Sequence, residues 1–92
     1  LQPIIDNDPQ AILVCDGGEI GQWPQAMLAP RRRLINGPAG SIGSSIAMAI
    51  AARAADPAAK VIAVMGDGTF GFHMAEFDTA LRYNLPFVAV VG

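Results

Sequence analysis

The fold class this sequence predicts is α/β, a parallel sheet with crossover helices on both faces. Two observations carry that expectation: short apolar runs alternate with stretches of helical spacing, and Gly, Pro, Asn and Asp turn signals separate each from the next. A third lies in the runs themselves, which are continuously apolar, as strands covered on both sides require.

Ala11 to Cys15 is the first such run, set between Asp8-Pro9 and Asp16-Gly17-Gly18. Gln22 to Leu28 is expected to form a short helix before Pro30, and Arg33 to Asn36 a second strand, broken by Gly37-Pro38-Ala39-Gly40. From Gly43 to Ala55 the spacing turns helical. Ile42, Ile46 and Ile50 recur every four residues, while Ala47, Ala51 and Ala54 keep the adjoining face thin enough to lie close to a sheet. Arg53 suits the C-terminal end of the helix dipole, and Pro57 biases Asp56 away from helical geometry. Val61 to Met65 is the clearest strand. After Gly66-Asp67-Gly68 a helix is expected from about Phe72 to Tyr83, with Met74, Phe77 and Leu81 on one face and an Asp78–Arg82 pair on the other. Asn84 and Pro86 stop it, and Phe87 to Val91 forms the last buried strand.

Ninety-two residues leave room for one domain at most. The chain opens at Leu1 without Met and closes at Gly92 directly after an apolar run, so it is expected to be part of one domain of a longer protein. With 52% hydrophobic and 15% charged residues, a buried core is expected and disorder is not. A net charge of -2, with one basic cluster at Arg31, Arg32 and Arg33, offers no field for gripping nucleic acid. The single cysteine, Cys15, can close no internal disulfide, which makes a reducing cytoplasm the default setting. Arg53, Asp56, Lys60 and Asp67 interrupt the apolar stretches before the ~18 to 20 residues of a bilayer span, so no membrane partner is expected.

The chemistry concentrates where a strand ends and a glycine-rich turn opens a helix, because open α/β sheets bind ligands at their carboxyl edge. Two turns qualify: Gly37-Pro38-Ala39-Gly40-Ser41-Ile42-Gly43 and Gly66-Asp67-Gly68-Thr69. In the second, glycines on both sides of Asp67 let backbone approach a bulky anion, and N–H groups at the helix start point toward it. A lone carboxylate there repels phosphate unless a hard cation lies between them. Mg²⁺, which commonly takes one or two protein carboxylates plus phosphate oxygens, meets that need, so the turn reads as metal-bridged diphosphate binding. Neither standard nucleotide fingerprint fits. Gly68 is followed by Thr69 and Phe70 where a P-loop needs Lys then Ser or Thr, and the evenly spaced Gly37, Gly40 and Gly43 are not the Rossmann pattern.

Gly66-Asp67-Gly68-Thr69-Phe70, then Glu76-Phe77-Asp78-Thr79-Ala80, then Leu85-Pro86 and an apolar strand together resemble the opening of the thiamine diphosphate motif. That motif is a Gly-Asp-Gly closed by Asn, often Asn-Asn, about two dozen residues later; Gly68 is followed by 24 residues, so the resemblance places the closing asparagines just after Gly92. Gly40-Ser41-Ile42-Gly43 resembles the segment of the same family that touches the aminopyrimidine ring. The match runs from Ala11 to Gly92 and is similar to the pyrophosphate-binding domain of acetolactate synthase-like enzymes; Asp16-Gly17-Gly18 and Glu76 to Thr79 lean toward the synthase and benzaldehyde lyase side.

The resemblance implies a set of roles. Asp67 would ligate Mg²⁺, and backbone N–H groups of Gly68 and Thr69, after Gly66, would hold the diphosphate. The Gly40 carbonyl and the Ile42 N–H, either side of Ser41, would meet the aminopyrimidine, with the Ile42 side chain as the wedge that keeps the cofactor bent. It also implies carbanion chemistry on a 2-oxo acid or hydroxyketone, carried by the cofactor. The activating glutamate of the family belongs to a separate pyrimidine-binding domain, usually of a neighbouring subunit, so a homo-oligomer is implied, no catalytic residue is assigned to this chain, and the isolated stretch is expected to bind the cofactor weakly and to be inactive. The alternatives are a 2-oxo acid decarboxylase, a non-catalytic α/β module that kept the fold, and a receiver-like or nucleotide-binding protein.

Other residues have plainer readings. Glu19 is an exposed loop acid and Trp23 a packing residue. His73 and Glu76, three apart, are polar residues of a helix start and not a catalytic pair. Cys15 is an inert packed thiol, and Arg31 to Arg33 a solvated or subunit-contact run.

Overall fold

The computed structural model describes residues 1–92. Four strands, β1 (Ile12–Asp16), β2 (Arg32–Ile35), β3 (Val61–Met65) and β4 (Val88–Val91), make one sheet in the order β2-β1-β3-β4. Every pairing is parallel, with Asp16 opposite Met65 and Met65 opposite Val91. Five helices complete it: α1 (Gln2–Asp6), α2 (Gly18–Met27), α3 (Ser45–Ala55), α4 (Asp67–His73) and α5 (Glu76–Arg82).

The central strands β1 and β3 are buried at every position, which is why their sequences run apolar without alternation. Successive side chains still point to opposite faces. Ile12, Val14, Val61, Ala63 and Met65 pack with Ile46, Ala49 and Ala52 of α3, while Leu13, Cys15, Ile62 and Val64 pack with Ile5 of α1 and with Ile20 and Leu28. Helices therefore cover both faces, as the sequence predicts. Each fully buried Leu, Ile or Val contributes about 1.5 to 3 kcal/mol relative to exposure.

Several local expectations are corrected. The alanine face of α3 that meets the sheet is Ala49 and Ala52 beside Ile46, whereas Ala47, Ala51 and Ala54 face solvent. The stretch read as one helix from Phe72 to Tyr83 is two, because α4 starts directly at Asp67 and the chain breaks at Met74 and Ala75. Of the apolar face assigned to it only Phe77 packs, between Phe70 and Phe87 at ring distances of 5.8 and 5.3 Å; Met74 and Leu81 are exposed. The break also puts His73 and Glu76 on different helices. The Asp78–Arg82 pair does form, at 2.8 Å.

Helix α2 begins four residues earlier than expected and contains Pro24. Gly21 lets the helix approach β1: a Cβ there would sit 2.7 Å from the Asp16 carbonyl oxygen. Helix α1 has no counterpart among the sequence expectations, being one short stretch from Gln2 to Asp6 with Pro3 in its first turn. Arg32 pairs with Asp56 at 2.6 Å and Arg33, though exposed, donates to the Leu28 and Gln25 carbonyls, so Arg31 alone of the basic run makes no side-chain hydrogen bond.

The chain leaves β1 toward β2 on one side and β3 toward β4 on the other. The order reverses between β1 and β3, and the crevice at their carboxyl ends is where an open parallel sheet takes its ligand.

Candidate functional site

Register brings the two strand ends together. Asp16 lies opposite Met65, and the Gly66 amide donates to the Asp16 carbonyl at 3.3 Å, so Gly17-Gly18 and Gly66-Asp67 stand side by side. Gly17 has φ +73°, and a Cβ on it would fall 1.6 Å from the Thr69 Oγ1, so the turn closes only without a side chain. Thr69 is buried beneath it, with an Oγ1 that has no partner.

Above Thr69 the Gly66-Asp67-Gly68 turn opens α4. Gly66 is extended at the N-cap, Asp67 is exposed in the first turn, and a methyl group added at Gly68 would meet nothing within 4 Å. The Asp67 amide donates to the Gly92 carbonyl at 3.2 Å, and the Gly68 amide donates to the Asp67 Oδ1 at 2.7 Å. The Thr69 amide has no acceptor within the protein, as expected of a first-turn amide that nothing caps. One free helix-start N–H, one exposed carboxylate and open space above a glycine thus share a corner. This donor set suits a hard divalent cation bridged to phosphate oxygens, since Mg²⁺ keeps its remaining positions for phosphate and water.

The second segment approaches from β2. Gly40 has φ +66°, and Ile42 lies outside α3 with 47% of its surface exposed, so it is not the first member of the buried stripe that Ile46 begins. A cleft of about 620 Å³ runs between α2 and this loop, lined by Gly18, Gln22, Asn36, Gly40 and Ile42 among others. A second hollow, about 340 Å³, lies among Gly18, Glu19, Trp23, Gly66 and Asp67. The two meet at Gly18. The structure thus gathers Gly40 and Ile42 on one side of the strand ends and Gly66, Asp67, Gly68 and Thr69 on the other; Ser41 is exposed between Gly40 and Ile42.

Two features were not read from the sequence. Asp16 is fully buried, and its Oδ2 accepts from the Gly43 amide at 3.0 Å, the Ser45 amide at 2.8 Å and the Ser44 hydroxyl at 3.2 Å. It caps α3 from another element, since Ser44 at the N-cap makes no side-chain cap of its own. A lone acid ending a fully apolar strand was the available signal. The other is Trp23, which is 54% exposed rather than packed; its indole donates to Glu19 at 3.3 Å, and Glu19 belongs to the first turn of α2 and not to a loop. Cys15 meets its expectation: it is buried, and burial raises its thiol above the ordinary range despite the opposing Arg33 charge.

Residues 16–92 match the family model described as thiamine pyrophosphate enzyme, C-terminal TPP binding domain. Among curated proteins, the acetolactate synthase large subunit IlvG of Mycobacterium tuberculosis is 37% identical over 95 residues, covering 100% of this chain and 17% of that protein. The 2-hydroxyacyl-CoA lyase 2 of Mus musculus is 36% identical over 96 residues, covering 100% and 15%. The 2-hydroxyacyl-CoA lyase of Saccharomyces cerevisiae is 38% identical over 94 residues, covering 99% and 17%. The chain therefore spans about a sixth of the length of the relatives it matches. The match and the parallel sheet with its glycine turns at the switch point agree: this chain belongs to the thiamine pyrophosphate enzymes, and its residues 16–92 lie in their C-terminal cofactor-binding domain.

Proposed function

We propose that this chain supplies the diphosphate-binding and aminopyrimidine-facing walls of a thiamine diphosphate enzyme that makes or breaks carbon–carbon bonds of 2-oxo acids or 2-hydroxyketones. The observation that carries it is the corner described above, where an exposed Asp67, the free Thr69 amide and open space over Gly68 stand at the carboxyl ends of β1 and β3. Asp67 would ligate Mg²⁺, with the Gly66 to Thr69 backbone cradling the diphosphate. Gly40, Ser41 and Ile42 would border the aminopyrimidine, and Ile42, exposed on the cleft, would press against the cofactor from below.

The bound cofactor supplies stabilisation of a carbanion, which no side chain provides. This chain's own residues bind and orient: the Asp67 carboxylate sets the cation, the α4 start meets phosphate charge, and the Asp16 carboxylate fixes the loop bearing Ile42. The names of the relatives, acetolactate synthase and 2-hydroxyacyl-CoA lyase, support a lyase or transferase reaction over simple decarboxylation. The activating acid would come from a pyrimidine-binding domain of the same or a neighbouring subunit, in a homo-oligomer. The single buried cysteine supports a reducing, cytoplasmic setting.

The test is calorimetry on the full-length protein with thiamine diphosphate and Mg²⁺. Asp67→Ala is expected to abolish the Mg²⁺-dependent part of binding while leaving the fold intact, because the side chain is exposed. Wild-type affinity in that variant would sink the assignment.

A further inference from the structure

The Gly43 peptide is gripped from three sides. Its N–H donates to the buried Asp16 Oδ2 at 3.0 Å, its carbonyl meets the His73 Nδ1 at 2.7 Å, and a Cβ on it would lie 3.3 Å from the Phe72 Cβ. A carbonyl only accepts, so Nδ1 carries the hydrogen and His73 donates. Gly43 has φ +108° and is buried, which allows α4 to lie against its bare Cα.

His73 closes the helix that Asp67 opens, and Gly43 follows Ile42 directly. The single His73–Gly43 hydrogen bond therefore joins the element carrying Asp67 and Thr69 to the loop carrying Gly40 and Ile42. No other side-chain hydrogen bond links α4 to that loop. We infer that His73 is a positioning residue that fixes the distance between the diphosphate corner and the Ile42 wall. The inference rests on the cofactor assignment proposed above. It gives a role to a residue that touches neither the metal corner nor the cleft: with α4 seated, Ile42 is held where it must stand, and with α4 loose the wall slackens.

The experiment uses the full-length protein and three variants, His73→Ala, His73→Asn and Asp67→Ala. Asn is chosen because its Nδ2 occupies the place of Nδ1 and still donates. In ligand-free protein, hydrogen exchange at residues 43 to 45 is expected to rise roughly five- to tenfold in His73→Ala and to stay near wild type in His73→Asn. Thiamine diphosphate affinity in Mg²⁺ should weaken by roughly five- to tenfold in His73→Ala and recover in His73→Asn. Adding Ile42→Ala should cost less in the His73→Ala background than in wild type, because the wall is already loose. Unchanged exchange at residues 43 to 45 overturns the tie. Unchanged affinity in His73→Ala, with affinity lost in Asp67→Ala, overturns its role in the site. Unchanged affinity in both variants instead overturns the cofactor assignment beneath it.

Discussion

The Asp16 carboxylate accepts the Ser45 amide at 2.8 Å, joining the end of β1 to the start of α3 across 29 positions of sequence. The same oxygen takes the Gly43 amide and the Ser44 hydroxyl, so one buried acid satisfies the orphan donors of a helix start and a loop together. Asp16→Ala is expected to cost about 2 to 4 kcal/mol, the loss of a cap plus unpaired buried amides. Asp16→Asn keeps one acceptor and should fall between. Denaturant unfolding of the full-length protein measures both; wild-type stability in the alanine variant would contradict the clasp.

Two neighbouring glycines should respond differently to the same change. Gly18 has φ +58° with open space around it, so Gly18→Ala is expected to cost only the left-handed backbone penalty, about 1 to 2 kcal/mol. Gly17→Ala adds a collision with the side chain of Thr69 and should cost about 3 kcal/mol or more. Equal thermal shifts for the two would show that the Thr69 contact yields.

Ile42 and Ile46 stand four apart in sequence but do different work. Ile46 is fully buried against the sheet, and Ile46→Ala should lower stability by about 2 to 5 kcal/mol. Ile42→Ala should change stability by less than about 1 kcal/mol, in keeping with an exposed position, while weakening cofactor binding. A stability loss for Ile42→Ala as large as that for Ile46→Ala would return it to the core.

Acid should act on the pair between β2 and the end of α3. The Arg32 guanidinium, bonded to Asp56 at 2.6 Å, holds that carboxyl below its usual range, with the Ala58 amide helping. A depressed folded value means the contribution is present above the unfolded value, about pH 4, and is lost as pH falls through the folded one. Asp56→Asn should thus be less stable than wild type at pH 7, by the small amount typical of an exposed pair, and indistinguishable from it at low pH. Parallel stability curves for the two proteins from neutral to strongly acid pH would show that the pair contributes nothing.

What was legible in the sequence followed from local pattern. Val61 to Met65 was readable to the residue because five apolar positions between turn signals are too few for a helix and suit a strand buried on both faces. Phe87 to Val91 shows the same pattern, yet it is not the buried strand expected, because β4 lies at the sheet edge with Val88 and Val91 exposed. The Asp67 turn was readable because glycines flank a carboxylate at a strand end. Contacts made by folding were not. Asp16 acts on residues 27 to 29 positions away, and no local pattern marks such a bond. Gly21 serves close approach to β1, a contact that no local pattern marks either. The exposed Met74 and Leu81 kept helical spacing across the junction between α4 and α5, so the period persisted while the buried face did not.

The clamp on Gly43 has a kinetic meaning. Because β1, through Asp16, and α4, through Phe72 and His73, hold the base of the loop as the protein folds, backbone freedom there is lost before any small molecule arrives. Under the cofactor assignment proposed above, association need not freeze that segment again, so the wall beside Ile42 would meet an incoming ring as a rigid surface, with encounter limited by entry into the crevice and not by loop rearrangement.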